Sequence, residues 1–116
     1  EGFKRAPGGA RGSNEQEADM HTVSWTIDVN EGTSKQEILR GLEAAAEDYK
    51  DVAGLIRASL GLTADGKHIM MVFLWQSKAA ADAHFTEHWE TLISRRWLAA
   101  PMRRQDWATT MVVDNG

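Results

Sequence analysis

The chain has 116 residues, 13 lysines and arginines against 17 aspartates and glutamates, a formal net charge of −4 and no cysteine. That length builds one core and not two; the dispersed basic residues argue against nucleic acid as a partner, and the missing thiols exclude disulfides, thiolate metal sites and a cysteine nucleophile. No apolar run reaches the ~18 residues that span a bilayer and the start lacks the apolar core of a signal peptide, so the expectation is a cytoplasmic protein without a membrane partner.

Residues 1–19, EGFKRAPGGARGSNEQEAD, hold four glycines and a proline with almost nothing apolar. Such a stretch cannot repay the entropy of ordering, so it is expected to be a disordered extension, with Met20 a candidate original start and 20–116 the folded domain. Gly8-Gly9-Ala10-Arg11-Gly12 is glycine-rich, but no strand precedes it to scaffold a phosphate loop. HTVSWTIDV (21–29) then alternates, with Val23, Trp25, Ile27 and Val29 on one face, the period-two signature of a half-buried strand.

Ser34-x-x-Glu37 is a capping-box spacing, and Ile38, Leu42, Ala45, Ala46 and Tyr49 recur at helical intervals, which predicts a helix to about Lys50. Gly54 opens a second strand, LIRASLGL (55–62). Asp65-Gly66 predicts a hairpin into HIMMVFLW (68–75), because glycine tolerates the positive φ that tight turns demand. Ser77 is the N-cap of a second helix starting KAAADAHF, with no glycine to interrupt it before about Leu98. DWATTMVVD (106–114) reads as the last strand. The order β-α-β-β-α-β is the α+β, ferredoxin-like arrangement: a four-stranded antiparallel sheet with both main helices on one face. Its other face has no cover in a single chain, so the expected partner is a second copy, a homodimer closed through the open sheet face.

Taken together, VAGLIRASLGLTADGKHIMMVFLWQSKAAADAHFTEHWETLISRRW and the terminal TTMVVDN resemble the dimeric α/β-barrel superfamily, and within it the YdhR-like mono-oxygenase family. The likeness is carried by Gly54-Leu55-Ile56-Arg57, Val72-Phe73-Leu74-Trp75 before a Ser-x-x-Ala-Ala helix start, Trp89, Arg96, and Val112-Val113-Asp114-Asn115. It departs from related sequences at Ala53, Ala58-Ser59 and Met70-Met71, where these tend to carry proline, lysine-tyrosine and paired glycines. A lost tyrosine hydroxyl and two added methionines imply a larger, more apolar pocket. The superfamily also holds cyclases, haem-degrading enzymes, dehydratases and stress proteins, so the resemblance speaks to fold more than to chemistry.

The residues that carry chemistry centre on HFTEHW (84–89), two of four histidines placed four apart. Read as one helix over 81–93, it aligns Ala81, Phe85 and Leu92 within about 40° on one stripe, with His88 inside it and His84 on its flank. Histidines at i and i+4 can share a metal, but a site needs a third ligand and Glu87 lies on another face, so no metal is expected. Haem, held by a histidine on this helix as in the haem-degrading members, is a lesser alternative to having no cofactor. Plain packing of the rings is the bland reading.

The sharper one is a pocket between the second helix and the sheet, lined by Trp75, Trp89 and Trp107 with Phe85 and Ser59, and binding a small aromatic substrate. His84 or His88 would abstract a proton from a phenol or enol, and Arg57 would hold the oxyanion. The resemblance implies a cofactor-independent mono-oxygenase or related cyclase acting on an aromatic or polyketide-like molecule, against a non-catalytic dimeric binding or stress protein as the alternative. Arg95-Arg96 and Arg103-Arg104 read as a solvated rim.

Overall fold

The computed structural model describes residues 3–4, 19–97, 101–113 and 115. The elements are β1 (Phe3–Lys4), β2 (His21–Asp28), α1 (Lys35–Asp48), β3 (Leu55–Leu62), β4 (His68–Trp75), α2 (Lys78–His84), α3 (Glu87–Arg96), β5 (Met102–Ala108) and β6 (Val112–Val113). Four strands form an antiparallel sheet in the order β3-β4-β2-β5, and β1 pairs antiparallel with β6 in a separate ribbon. The fold is α+β and ferredoxin-like. Among the described residues no helix is long and apolar enough to cross a membrane.

Alternation decides which side chains meet the helices. On β2, His21, Val23, Trp25 and Ile27 are buried, and on β4 Ile69, Met71, Phe73 and Trp75 are buried. The helices cover this face with Ile38, Leu42 and Ala45 from α1 and with Ala81, Phe85, Trp89 and Ile93 from α2 and α3. Each large side chain removed from water there contributes about 1.5–3 kcal/mol before entropy is charged against it. α1 begins as its sequence predicts: the Ser34 hydroxyl accepts from the Glu37 backbone N–H at 3.1 Å and donates to the Glu37 carboxylate at 3.2 Å. The hairpin closes on Asp65, whose carboxylate accepts from Thr63 Oγ1 at 2.7 Å and from Lys67 N at 2.9 Å, with Gly66 at φ 73°.

Three boundaries differ from the sequence reading. The predicted second helix is two: α2 ends at His84, Phe85 leaves helical geometry at ψ 70°, and Thr86 caps α3 by accepting from Trp89 N at 3.2 Å. Residues 98–100, where that helix was expected to end, lie outside the described residues. The last strand begins four residues earlier than expected, at Met102, and the chain then leaves the sheet before pairing Val112–Val113 with Phe3–Lys4. Phe3–Lys4 therefore take part in a strand within the segment expected to be disordered, while residues 5–18 lie outside the described residues.

β3 carries the fourth difference. A bulge between Leu55 and Arg57 inserts one extra residue, so Leu55 pairs with Trp75 but Arg57 pairs with Leu74 and Ser59 with Val72. The insertion shifts the two-residue period, turning Arg57 and Ser59 onto the open face while Ala58, Leu60 and Leu62 pack against the core.

Candidate functional site

His84 ends α2 half-buried, and aromatic rings surround it. Its centroid lies 5.2 Å from that of Phe85, 5.4 Å from Trp75, 5.7 Å from Tyr49 and 6.0 Å from Trp89. Behind these rings Trp25 meets Trp89 at 5.0 Å and Phe85 at 5.6 Å, and Phe73 meets Tyr49 and Phe85 at 5.0 Å each. Phe85, the C-cap of α2, and Trp89, in the first turn of α3, are both buried against the sheet.

Two polar atoms in the cluster stand out. His84 Nε2 and Trp75 Nε1 are buried with no hydrogen-bond partner among the described residues, and Trp75 is wholly buried. Trp25 Nε1, at the back of the cluster, is in the same state. A buried group left unpaired costs about 1–3 kcal/mol, so such atoms ask for a water or a ligand. Burial pushes the His84 pKa below the ordinary histidine value, so the ring stays neutral and retains a lone pair. Tyr49 is displaced the other way: burial raises its phenol, with a hydrogen bond from Trp89 opposing, and it remains protonated.

A chain of alternating charges flanks the cluster. His21 Nε2 lies 2.7 Å from Asp106 Oδ2; Arg104 clasps Asp106 through Nε at 2.8 Å and Nη2 at 2.9 Å, and reaches Asp82 on α2 at 2.8 Å, where Lys78 adds a bond of 2.7 Å. The Arg104 guanidinium also sits 5.5 Å from the centre of the Phe85 ring. Burial raises Asp106, but the bonds from Arg104 and His21 outweigh it and hold the carboxyl below its usual range. The network fixes α2, and with it His84, against β2 and β5.

Of the residues expected to form the site, His84, Phe85, Trp75 and Trp89 come together. His88 does not: it falls in the first turn of α3 and is exposed, because the helix on which it shared a stripe with Phe85 is broken between them. Arg57 and Ser59 were carried to the opposite sheet face by the bulge, and Trp107, paired with Thr22, is on that face too and 45% exposed. Arg57, Ser59 and Trp107 thus point away from the face on which His84 sits, and the space they were to frame is filled by Trp25, Phe73 and Phe85.

Tyr49, His21 and Arg104 belong to the site or its frame and were not anticipated in it. Parity was the available signal for His21, which shares the alternation of Val23 and Trp25. Arg104, expected on a solvated rim, faces the helices because β5 includes it, in register with Trp25. Among the described residues no group of three or more His, Asp or Glu side chains is placed to hold a metal ion.

No protein-family model matches the chain and no curated protein matches it. Solved structures do. A protein of Shewanella oneidensis is 15% identical, with a TM-score of 0.65 over 83% of this chain and 95% of that one. SnoaB, a cofactor-independent oxygenase of Streptomyces nogalater, is 14% identical, with a TM-score of 0.62 over 79% and 94%. The hydroxynitrile lyase of Passiflora edulis is 9% identical, with a TM-score of 0.60 over 80% and 95%. The chain shares the fold of these proteins, and at these identities the likeness is one of fold alone.

Proposed function

We propose that this protein is a cofactor-independent mono-oxygenase, or a closely related cyclase, that takes a phenolic polycyclic substrate against the ring cluster and uses His84 as its base. The observation that carries the reading is the pair of unpartnered buried atoms, His84 Nε2 and Trp75 Nε1, on rings 5.4 Å apart. A neutral imidazole accepts a proton from a phenol or enol, and an indole N–H donates to the oxygen on which charge then develops. The surrounding indole and phenyl rings, buried and packed edge to face, keep the base in a dry setting.

In such oxygenation the deprotonated substrate itself reduces dioxygen. Conversion of a ring CH2 to C=O supplies four electrons; one oxygen atom stays in the product and the other leaves with the two hydrogens as water. The protein need only remove a proton, hold the ring and exclude bulk water. The oxygenase among the structural neighbours supports this reading through a shared fold. The active unit in this proposal is a homodimer joined through the open sheet face.

Oxygen uptake on an anthrone-type polyphenol tests it. His84→Asn is expected to lower the rate by about 100-fold or more, the usual scale for a lost general base, while His88→Asn, at an exposed position, leaves it unchanged. Equal uptake by His84→Asn and the parent protein would remove His84 from the mechanism.

A further inference from the structure

A groove of about 300 Å3 runs between the C-terminal end of α1 and the outer edge of β3, bordered by Tyr49, Lys50, Leu55, Ile56, Arg57 and Leu60. We infer that this groove is the mouth of the ring cluster and that it selects aromatic substrates bearing a carboxylate, which Arg57 and Lys50 hold at the rim. The inference rests on the reading above for what happens beyond Tyr49, but not for the binding itself.

Four observations converge on it. Tyr49 is shared, lining the groove while its ring stands 5.7 Å from His84, so a ligand seated there is one ring away from the base. The groove's apolar border is of mixed exposure: Leu55 and Leu60 are half-buried, whereas Ile56 is 47% exposed, a large hydrophobe left in water at the bulge. The charges are two cations against one carboxylate, Asp51. Arg57 has no carboxylate partner among the described residues, and Lys50 is held only by Glu47 at 2.9 Å, with both side chains 67% exposed. An exposed pair of that kind is weak enough to give way to a ligand.

β3 is an edge strand, so residues of either face border the groove, and the bulge that turns Arg57 off the helix side leaves it on that border. A planar guanidinium grips a carboxylate through two parallel hydrogen bonds, which a neutral phenol cannot return. The volume lies at the lower end of the range for small-molecule sites, matching a bicyclic acid more closely than a large polycycle.

Calorimetric titration with 1-hydroxy-2-naphthoate and with 1-naphthol decides the matter. The carboxylate is expected to bind at least 10-fold tighter than the naphthol, Arg57→Gln to abolish that difference and Lys50→Gln to reduce it, and added salt to narrow it. Both residues are exposed, so neither variant threatens the fold. Equal binding of the two ligands, binding of neither, or unchanged discrimination in Arg57→Gln overturns the inference. His84→Asn is expected to bind the carboxylate as the parent does. Arg57-dependent binding without oxygen uptake by any variant would sink the oxygenase reading and leave the groove standing, whereas uptake with no Arg57-dependent discrimination does the reverse.

Discussion

An imidazole hemmed in by two indoles, a phenol and a phenyl ring loses the water that would solvate its cation, and this sets the pH behaviour of His84. Its pKa is lowered by burial. The unfolded chain, whose histidine titrates at about 6.5, therefore binds a proton at pH values where the folded protein does not. The contribution of His84 to stability is complete above that value and is lost as the pH falls through the lowered native one. The same shift keeps the base free at mildly acidic pH, so the acid limb of kcat/KM is expected below pH 6.5. A pH–rate profile that breaks at or above the ordinary histidine value would assign the limb to another group.

At the scale of elements, the site depends on a helix that stops. Thr86 accepts from Trp89 N and starts α3 one residue after Phe85 has left α2. Thr86→Ala is expected to cost about 1 kcal/mol, the usual loss for an N-cap, and to loosen Trp89 against Tyr49 and His84; urea unfolding followed by tryptophan emission measures both. Much of the fold was legible because local chemistry and tertiary packing agree. The alternation of Val23, Trp25 and Ile27, the Ser34–Glu37 cap and the Asp65–Gly66 turn each point to the element that forms. The break at Phe85 was hidden because alanine-rich sequence with no glycine or proline reads as continuous helix, although Thr86 followed by Glu87 and Glu90 is a start signal. The start of β5 was obscured by Arg103 and Arg104, charges that an edge strand accommodates by pairing: Arg103 with Asp28 at 3.0 Å and Arg104 with Asp106 and Asp82. Arg57 was misplaced for another reason, since one extra residue in a strand reverses every later side chain and leaves no mark in composition.

For the whole molecule, the sheet face opposite the helices presents Thr22, Ser24 and Thr26 from β2, Met70, Val72 and Leu74 from β4, and Gln105 and Trp107 from β5. Val72 is 38% and Trp107 45% exposed, large apolar groups left uncovered among the described residues. In the dimer proposed above these become the interface. Trp107→Glu places a charge in that contact and is expected to yield a monomer by analytical ultracentrifugation, with helical circular dichroism retained because Trp107 lies outside the core. A dimer that persists in Trp107→Glu would move the interface elsewhere.

The ring cluster also has an optical consequence. Trp25 and Trp89 lie 5.0 Å apart at an angle of 50°, and the Trp75 ring lies 5.4 Å from the His84 imidazole. Transition dipoles so close and so tilted couple, adding an exciton signature to the far-ultraviolet circular dichroism that helix content alone would not produce. Three of the five indoles therefore report from one place, and in the near ultraviolet most of the light the protein absorbs is absorbed around His84.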